Sequence, residues 1–368
     1  MSEFKNEIQE IKSRILSRYD FLNDKPNKIY IFGSKTMGGK LFHTLNESGY
    51  SVGGFIDNDK NRQGTYILGK KVYALDELLD QKEDVVVVVA TAFFTNEITR
   101  QLIDSGFLKI VPFHVLPLLD EDVYEQHMCF IGVIEHYAAN TEKYQKLMDI
   151  LKDEQSKKIL SAIIRFRQLF DLDCYYDIKS DDVLIYFDEM VDCDNNTVFV
   201  DGGAYDGYSS TTFIKFSKGN YKKIYLFEPD SLNFAKAKAN LAKHSDVEYW
   251  QAGLSNPNEI LCFDERCSEG SVFCSSGKKQ VQCCALDDIV KEDRAFIKLD
   301  IEGAELKALQ GAERLIRNGS TLAICLYHKA EDVIGIPEYV LSINPNYDIY
   351  LRHYSYNIYD AVMYAIPR

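Results

Sequence analysis

Basic charge is scarce in this chain. Its 42 Lys and Arg face 56 Asp and Glu, which leaves a formal net charge of −14. Proteins that grip a nucleic-acid backbone carry basic patches, so this balance argues against nucleic acid as the main partner. It does not exclude a small anionic ligand held by local N–H groups. Long apolar runs are also missing. The longest, Val85-Val-Val-Val-Val-Ala90, is far short of the ~20 residues a spanning helix needs and suits a buried parallel strand. No N-terminal stretch joins a basic segment, an apolar core and a small-residue cleavage site, so the expected location is the cytoplasm. The nine cysteines include no C-x-x-C pair. Zinc is therefore weakly indicated, and reduced thiols are expected. One tryptophan stands against 24 tyrosines and 21 phenylalanines, an imbalance that points to no class.

What is present suggests two domains. The chain has 368 residues, 46% hydrophobic and 27% charged, ordinary values for a globular protein. An α/β fold is expected: two doubly wound domains joined by a helical connector. The first domain covers residues 1–119 and opens with a helix whose apolar positions include Ile8, Ile11 and Ile15. Strand and helix then alternate, with strands at Ile29 to Phe32, Ser51 to Ile56, Val85 to Ala90 and Lys109 to Val111, which implies a parallel sheet. Gly33 and Ser34 follow the first strand, and Asp57 ends the second at a spacing that suits a carboxylate meeting a ribose. The loop is G-x-x-x-x-G-G and lacks the G-x-G start of a dinucleotide fingerprint, so NAD is disfavoured there. Residues 120–195 show helical periodicity in Leu147, Ile150, Leu151, Ile159, Leu160 and Ile163. Tyr186, Phe187 and Met190 either pack on the next domain or line its cleft.

Residues 196–368 form the second domain. An apolar run, Val198-Phe-Val200, ends in Asp201-Gly202-Gly203-Ala204-Tyr205-Asp206-Gly207, and hydroxyl residues then open a helix. Glycines allow close approach of backbone to ligand, and a helix N-terminus presents free N–H groups. Further strands end at Glu228-Pro229, at Gly253, at Asp300 with Glu302, at Tyr327-His328 and at His353. A hairpin is expected between Glu259 and Cys284, with the loop Ser268 to Ser271 as a wall over the ligand, and a single helix from Ala304 to Ile316. Only a short turn, Ser355 to Tyr359, parts the last two strands, so they must pair antiparallel. Alternating strands and helices closed by such a hairpin resemble the class I (Rossmann-like) methyltransferases, which use S-adenosylmethionine.

Ligands of open parallel sheets bind at the carboxyl ends of the strands. Asp201, Gly202, Gly203, Ala204, Asp206, Gly207, Glu228, Pro229, Gly253 and Asp300 are the expected cofactor contacts, Glu228 accepting from the ribose hydroxyls. Methyl transfer to an alcohol needs alignment and removal of a proton. His328 is the first candidate for general base and His353 the second, with Asp300 beside them. Glu302, Tyr327, Gly33, Ser34 and Asp57 are the expected substrate contacts. No metal is required, although Asp300, Glu302 and His328 permit a divalent ion.

"VFVDGGAYDGYSS", "YLFEPD", "CCALDDIV", "FIKLDIEGAELKALQGAERLI" and "YLRHYSYNIYDAVMYAIP" together resemble the FkbM family of methyltransferases over about residues 196–368. The resemblance implies methylation of hydroxyls, frequently on sugars or polyketide-type products. It places Asp201, Gly203 and Glu228 on the cofactor motif and Asp300 and Glu302 on the family's acidic motif. Many members have D-V/I-G-A-N where this chain has Asp201-Gly-Gly-Ala-Tyr205, a departure that keeps the carboxylate and a glycine. The stretch "YIFGSKTMGGKLFHTLNESGYSVGGFIDND" is similar to the nucleotide-sugar-binding lobe ahead of several sugar-modifying transferases. The expected function is thus an O-methyltransferase acting on a sugar, nucleotide-sugar or glycan precursor, with no nucleic acid and no membrane span, and with a homo-oligomer left open. The rival readings are an NAD-dependent sugar oxidoreductase and a non-catalytic binding protein with a methyltransferase fold.

Overall fold

The computed structural model describes all residues except 1, 23–27, 121–123, 125–127, 181–184, 256–259, 265–271 and 274–278. Two compact units emerge. The first comprises Met1–Thr141, Ser161–Ile178 and Tyr356–Tyr359; the second comprises Glu142–Leu160, Lys179–Ser355 and Asp360–Arg368. The segment 120–195 is thus shared between them rather than standing apart. Among the described residues no helix is long and apolar enough to cross a membrane.

The first unit is built on β1 (Ile29–Phe32), β2 (Val52–Ile56), β3 (Tyr66–Ile67), β4 (Lys70–Tyr73), β5 (Val86–Val89) and β6 (Lys109–Pro112), in the order β3-β4-β2-β1-β5-β6. Pairing is parallel except for the β3–β4 hairpin. Successive strand side chains point to opposite faces. Ile29, Ile31, Val86 and Val88 accordingly join one core, and Tyr30, Phe32, Val87 and Val89 join another. Burial on both faces is why these strands are unbroken apolar runs. The β3–β4 hairpin was not expected from the sequence. Its turn places Leu68 (φ 50°) and Gly69 (φ 75°) in the left-handed region, where Asn-Gly is the usual signal.

The second unit contains β7 (Val198–Gly202), β8 (Lys223–Phe227), β9 (Val247–Trp250), β10 (Gly253–Leu254), β11 (Ile260–Asp264), β12 (Val272–Phe273), β13 (Lys279–Cys284), β14 (Phe296–Leu299), β15 (Thr321–Cys325), β16 (Tyr347–His353) and β17 (Ala361–Pro367). The main sheet runs β16-β17-β15-β14-β7-β8-β9, with β17 antiparallel to both neighbours. The order reverses beside β7, which creates the crevice where open α/β sheets hold ligands. The expected hairpin is present as β11 against β13. The loop 268–271 lies outside the described residues.

An aromatic cluster fills one side of this sheet. Phe199 and Phe213 stack with centroids 4.3 Å apart, and Phe187 packs against both. Arg352 of β16 anchors the preceding helical segment: its Nη2 lies 2.8 Å from Asp153 and its Nε 3.2 Å from Asp188. The Leu351 N–H donates to Ser156 Oγ at 2.8 Å. The single helix expected from Ala304 to Ile316 is instead two, Glu305–Gln310 and Glu313–Arg317. The break sits at Gly311, where a Cβ would come within 2.5 Å of the Ser255 carbonyl oxygen. Close packing there overrides the helical pattern.

Candidate functional site

The glycine loop after β7 is held from beneath. Asp201 is fully buried, and its Oδ2 accepts from Ser209 Oγ and Ser210 Oγ, both at 2.6 Å. Its Oδ1 accepts from Lys298 Nζ at 3.1 Å, and the same ammonium donates to the carbonyls of Gly202 and Gly203 at 3.1 and 2.7 Å. Lys298 is the sole charge in the apolar strand Phe296–Leu299, and that isolation is the signal in the sequence that marks it. Asp201 therefore braces the loop from inside the domain. Gly203 (φ 73°) lies so close to Asp300 that a Cβ would sit 1.9 Å from its carbonyl oxygen.

The loop's own N–H groups are largely engaged. Gly203 and Ala204 both donate to the Phe227 carbonyl at 3.1 Å, Gly207 to Ala204 at 2.8 Å, and Tyr208 to Asp206 Oδ1 at 3.1 Å. The Tyr205 N–H donates to Glu228 Oε2 at 2.8 Å, and the Asp230 N–H to Glu228 Oε1 at 2.8 Å. Each carboxylate oxygen keeps a second lone pair. Burial raises the Glu228 carboxyl to about 7 despite these N–H bonds. Pro229 follows it at partial exposure, Gly253 is buried in β10, and the rings of Tyr205 and Tyr208 are exposed beside the loop.

The ends of β14 and β15 bring together the acidic groups. Asp300 Oδ2 accepts from Tyr186 at 2.7 Å, and Oδ1 accepts from Tyr327 at 3.1 Å. Tyr186 comes from outside the sheet and adopts a left-handed φ of 74°. The buried ring of His328 has carboxylates on both sides. Its Nδ1 is 2.9 Å from Glu305 Oε1, and its Nε2 is 3.4 Å from Asp300 Oδ1 and 3.6 Å from Glu302 Oε2. Glu305 is completely buried and also accepts the Ile301 N–H at 2.9 Å. Sequence reasoning stopped at Asp300 and Glu302 and missed Glu305, three residues further on in the first turn of a helix. His353 is fully buried within β16.

The charges in this cluster follow from position. Burial disfavours the His328 imidazolium, but Glu305, Asp300 and Glu302 outweigh it and raise the group to about 10. His328 is thus a cation at neutral pH. Burial likewise opposes ionisation of Asp300, yet His328, Lys298 and the two phenols hold it below the usual carboxylate range. Glu302 is raised to about 7, chiefly by burial, with Asp300 and Glu305 adding to it and His328 opposing. Among the described residues, the set whose ligand atoms gather within 4.8 Å is Asp300, Glu305 and His328, without the Glu302 named from sequence. The imidazolium already supplies positive charge at that point.

The first unit's glycine loop is also closed on itself. Asp57 Oδ2 accepts from the Ser34 N–H at 3.1 Å and from the Ser34 hydroxyl. Arg62 Nε donates to Ser34 Oγ and Nη2 to the Ser34 carbonyl, both at 2.6 Å. Gly33 (φ 108°) packs against Ala90, where a Cβ would lie 2.7 Å from its carbonyl oxygen. Gly33, Ser34 and Asp57 are therefore together, with Arg62 as a fourth member that the sequence reading did not include.

Comparisons agree with this architecture. Residues 201–355 match the methyltransferase FkbM domain, and residues 25–110 match the C2185-like N-terminal domain. The chain is similar in fold to the crystal structure of methyltransferase FkbM from Methylobacillus flagellatus KT, with 21% identity, a TM-score of 0.74 and coverage of 99% of this chain and 98% of that one. Shorter likenesses include a SAM-dependent methyltransferase from Aquifex aeolicus (15% identity, TM-score 0.31, 54% of this chain and 100% of that one). Precorrin-6y C5,15-methyltransferase from Geobacter metallireducens GS-15 is another (13%, 0.31, 52% and 93%). No curated protein matches the chain significantly.

Proposed function

On the match of residues 201–355 to the methyltransferase FkbM domain, we propose that the chain moves a methyl group from S-adenosylmethionine to a hydroxyl of a sugar, nucleotide-sugar or related glycan precursor. The observation that carries this reading is the acidic cluster of Asp300, Glu302, Glu305 and His328 at the carboxyl edge of the sheet, two strands from Glu228. The cofactor, when bound, supplies an electrophilic methyl on a sulfonium. Glu228 fits the ribose diol, since both its oxygens retain a lone pair at the end of β8. An acceptor hydroxyl taking that methyl group would have to give up its proton, so a side chain of this cluster must receive it.

His328 does not take that proton in this reading. An imidazolium held at about 10 has no lone pair at neutral pH. Glu302, raised to about 7 and partly exposed, is matched to the task. His328 instead balances the carboxylates and holds Glu302 and Asp300 in place. The sugar class rests on the family resemblance and on the Gly33 loop of the first unit.

Labelled S-adenosylmethionine offered with a panel of nucleotide-sugars and free sugars tests the reading, with transfer of one methyl group read by mass. Glu228→Ala should weaken S-adenosylhomocysteine binding by roughly 10- to 100-fold, the equivalent of ~1.5–3 kcal/mol for hydrogen bonds to a charged group. Calorimetry showing unchanged affinity would remove Glu228 from the ribose.

A further inference from the structure

Glu302 stands on a turn that its residue type does not favour. Its φ of 55° and the φ of 88° at Gly303 are both left-handed, and the Ala304 N–H donates to the Ile301 carbonyl at 3.2 Å. Positive φ at both central residues, closed by that bond, is the pattern of a type I′ turn, where glycine, asparagine and aspartate dominate. Gly303 fits. Glutamate carries the Cβ that the left-handed region penalises, without the short polar side chain that lets asparagine and aspartate bond locally there. A residue held this way persists when its surroundings over-determine it, and such residues cluster at active sites.

Glu305 is what holds the turn. Its side chain is completely buried, and its Oε1 accepts the Ile301 N–H at 2.9 Å, fixing the residue that opens the turn. The same oxygen lies 2.9 Å from His328 Nδ1. One carboxylate oxygen therefore ties the backbone of the turn to the ring whose Nε2 stands 3.6 Å from the Glu302 carboxyl. The ring has further contacts with Tyr327, whose centroid is 4.1 Å away, and with Asp300 Oδ1 at 3.4 Å from Nε2. Asp332, buried close to Glu305, has its own partner in the Lys329 N–H at 3.1 Å.

A simpler reason for an acid at this position is the helix Glu305–Gln310, whose first turn favours negative charge. That preference is met by an exposed side chain. It does not call for complete burial, which is costly for a carboxylate unless it is paired, nor for the reach back over the turn to Ile301.

We infer that Glu305 is a positioning residue for the proposed base: it sets the left-handed Glu302 turn through Ile301, holds His328 through Nδ1, and so fixes the place of the Glu302 carboxyl. The inference rests on the reading of Glu302 as the group that takes the acceptor's proton and adds to it the residue that governs its position. Glu305 itself has no exposed surface and touches no substrate.

Two variants of the full chain test it. Glu305→Gln keeps an oxygen for the Ile301 N–H but sets a neutral group against His328. The His328 ring, followed by its nitrogen NMR signals, should then lose its proton about one pH unit or more below the wild type. Glu305→Asp keeps the charge but is one methylene shorter, so one carboxylate no longer spans both partners. With the nucleotide-sugar and free-sugar panel as acceptors, each variant should lower kcat at least tenfold, while calorimetry shows S-adenosylhomocysteine affinity within twofold of wild type. The thermal midpoint of each reports that it is folded. An unchanged His328 titration in folded Glu305→Gln, or wild-type kcat in either folded variant, overturns the role. So does a loss confined to S-adenosylhomocysteine affinity. If Glu305→Gln does not fold, kcat against affinity in Glu305→Asp decides. Sugar methylation at the wild-type rate in Glu305→Gln overturns this inference alone. A shifted His328 titration in a chain that methylates no sugar supports the tie between Glu305 and His328 and overturns the proposed function alone.

Discussion

At the scale of single residues, the decisive feature is which group in the acidic cluster can change its protonation near neutrality. Histidine is the usual choice for such work because its ordinary pKa is about 6.5. Here three carboxylates surround His328 and fix it as a cation, and Glu302 becomes the group poised near 7. A base must be deprotonated to act, so at saturating S-adenosylmethionine, where cofactor binding through Glu228 no longer enters, kcat/KM for the acceptor should fall about tenfold per pH unit as the pH drops below about 7. Glu302→Gln should lower kcat by roughly 10²- to 10⁴-fold, and the residual rate should lose that acidic limb. A limb near 7 that persisted in Glu302→Gln would assign the proton to another group. His328→Gln provides a contrast. It removes the cation that opposes the carboxylates, and the limb should move to higher pH rather than vanish.

At the scale of elements, most strands were legible and most contacts between them were not. β1, β5, β7 and β14 are buried on both faces and stand out as apolar runs. The antiparallel β16–β17 pair followed from the shortness of its turn. What stayed hidden depends on tertiary approach: the left-handed Leu68 that turns β3 into β4, and the contact with Ser255 that breaks a helix at Gly311. The Tyr186 phenol on Asp300 belongs with these, because the sequence offers no measure of where a connector returns. The site was legible as a row of strand ends, whereas its internal pairings, Lys298 with Asp201 and Glu305 with His328, were not. Glycines show the same division. Gly203 and Gly64 both have positive φ, but a Cβ on Gly203 would strike the Asp300 backbone, while one on Gly64 would meet nothing within 4 Å. Gly64→Ala should therefore cost only the left-handed penalty of ~1–2 kcal/mol. Gly203→Ala adds an overpacking cost of ~1–3 kcal/mol, for roughly 2–5 kcal/mol in all. Urea unfolding of the two variants checks the difference, and equal losses would mean that the Gly203–Asp300 contact relaxes freely.

At the scale of the whole molecule, four buried ionisable groups hold protons more tightly in the folded state. Glu228, Glu302 and Asp332 are each raised to about 7, and His328 to about 10. In the unfolded chain carboxyl groups return to about 4 and histidine to about 6.5. Above pH 6.5 the folded protein therefore holds more protons than the unfolded chain, and stability must fall as pH rises. His114, lowered to about 3, works in the opposite direction at the lower end of this window, where the unfolded imidazole still holds part of its proton, but His328 and the three raised carboxyl groups together outweigh it. The unfolding midpoint should drop between pH 6.5 and 8.5, with a slope on the order of 1 kcal/mol per pH unit for a single fully linked group such as His328. Saturating S-adenosylhomocysteine should make the drop shallower. Ribose hydroxyls donating to Glu228 favour its ionised form and so bring its folded pKa back toward the unfolded one. Urea melts across this range, with and without the ligand, measure both effects. A flat or rising profile for the free protein would show that the cluster is not protonated as its geometry requires. An identical slope with ligand bound would place the ribose away from Glu228.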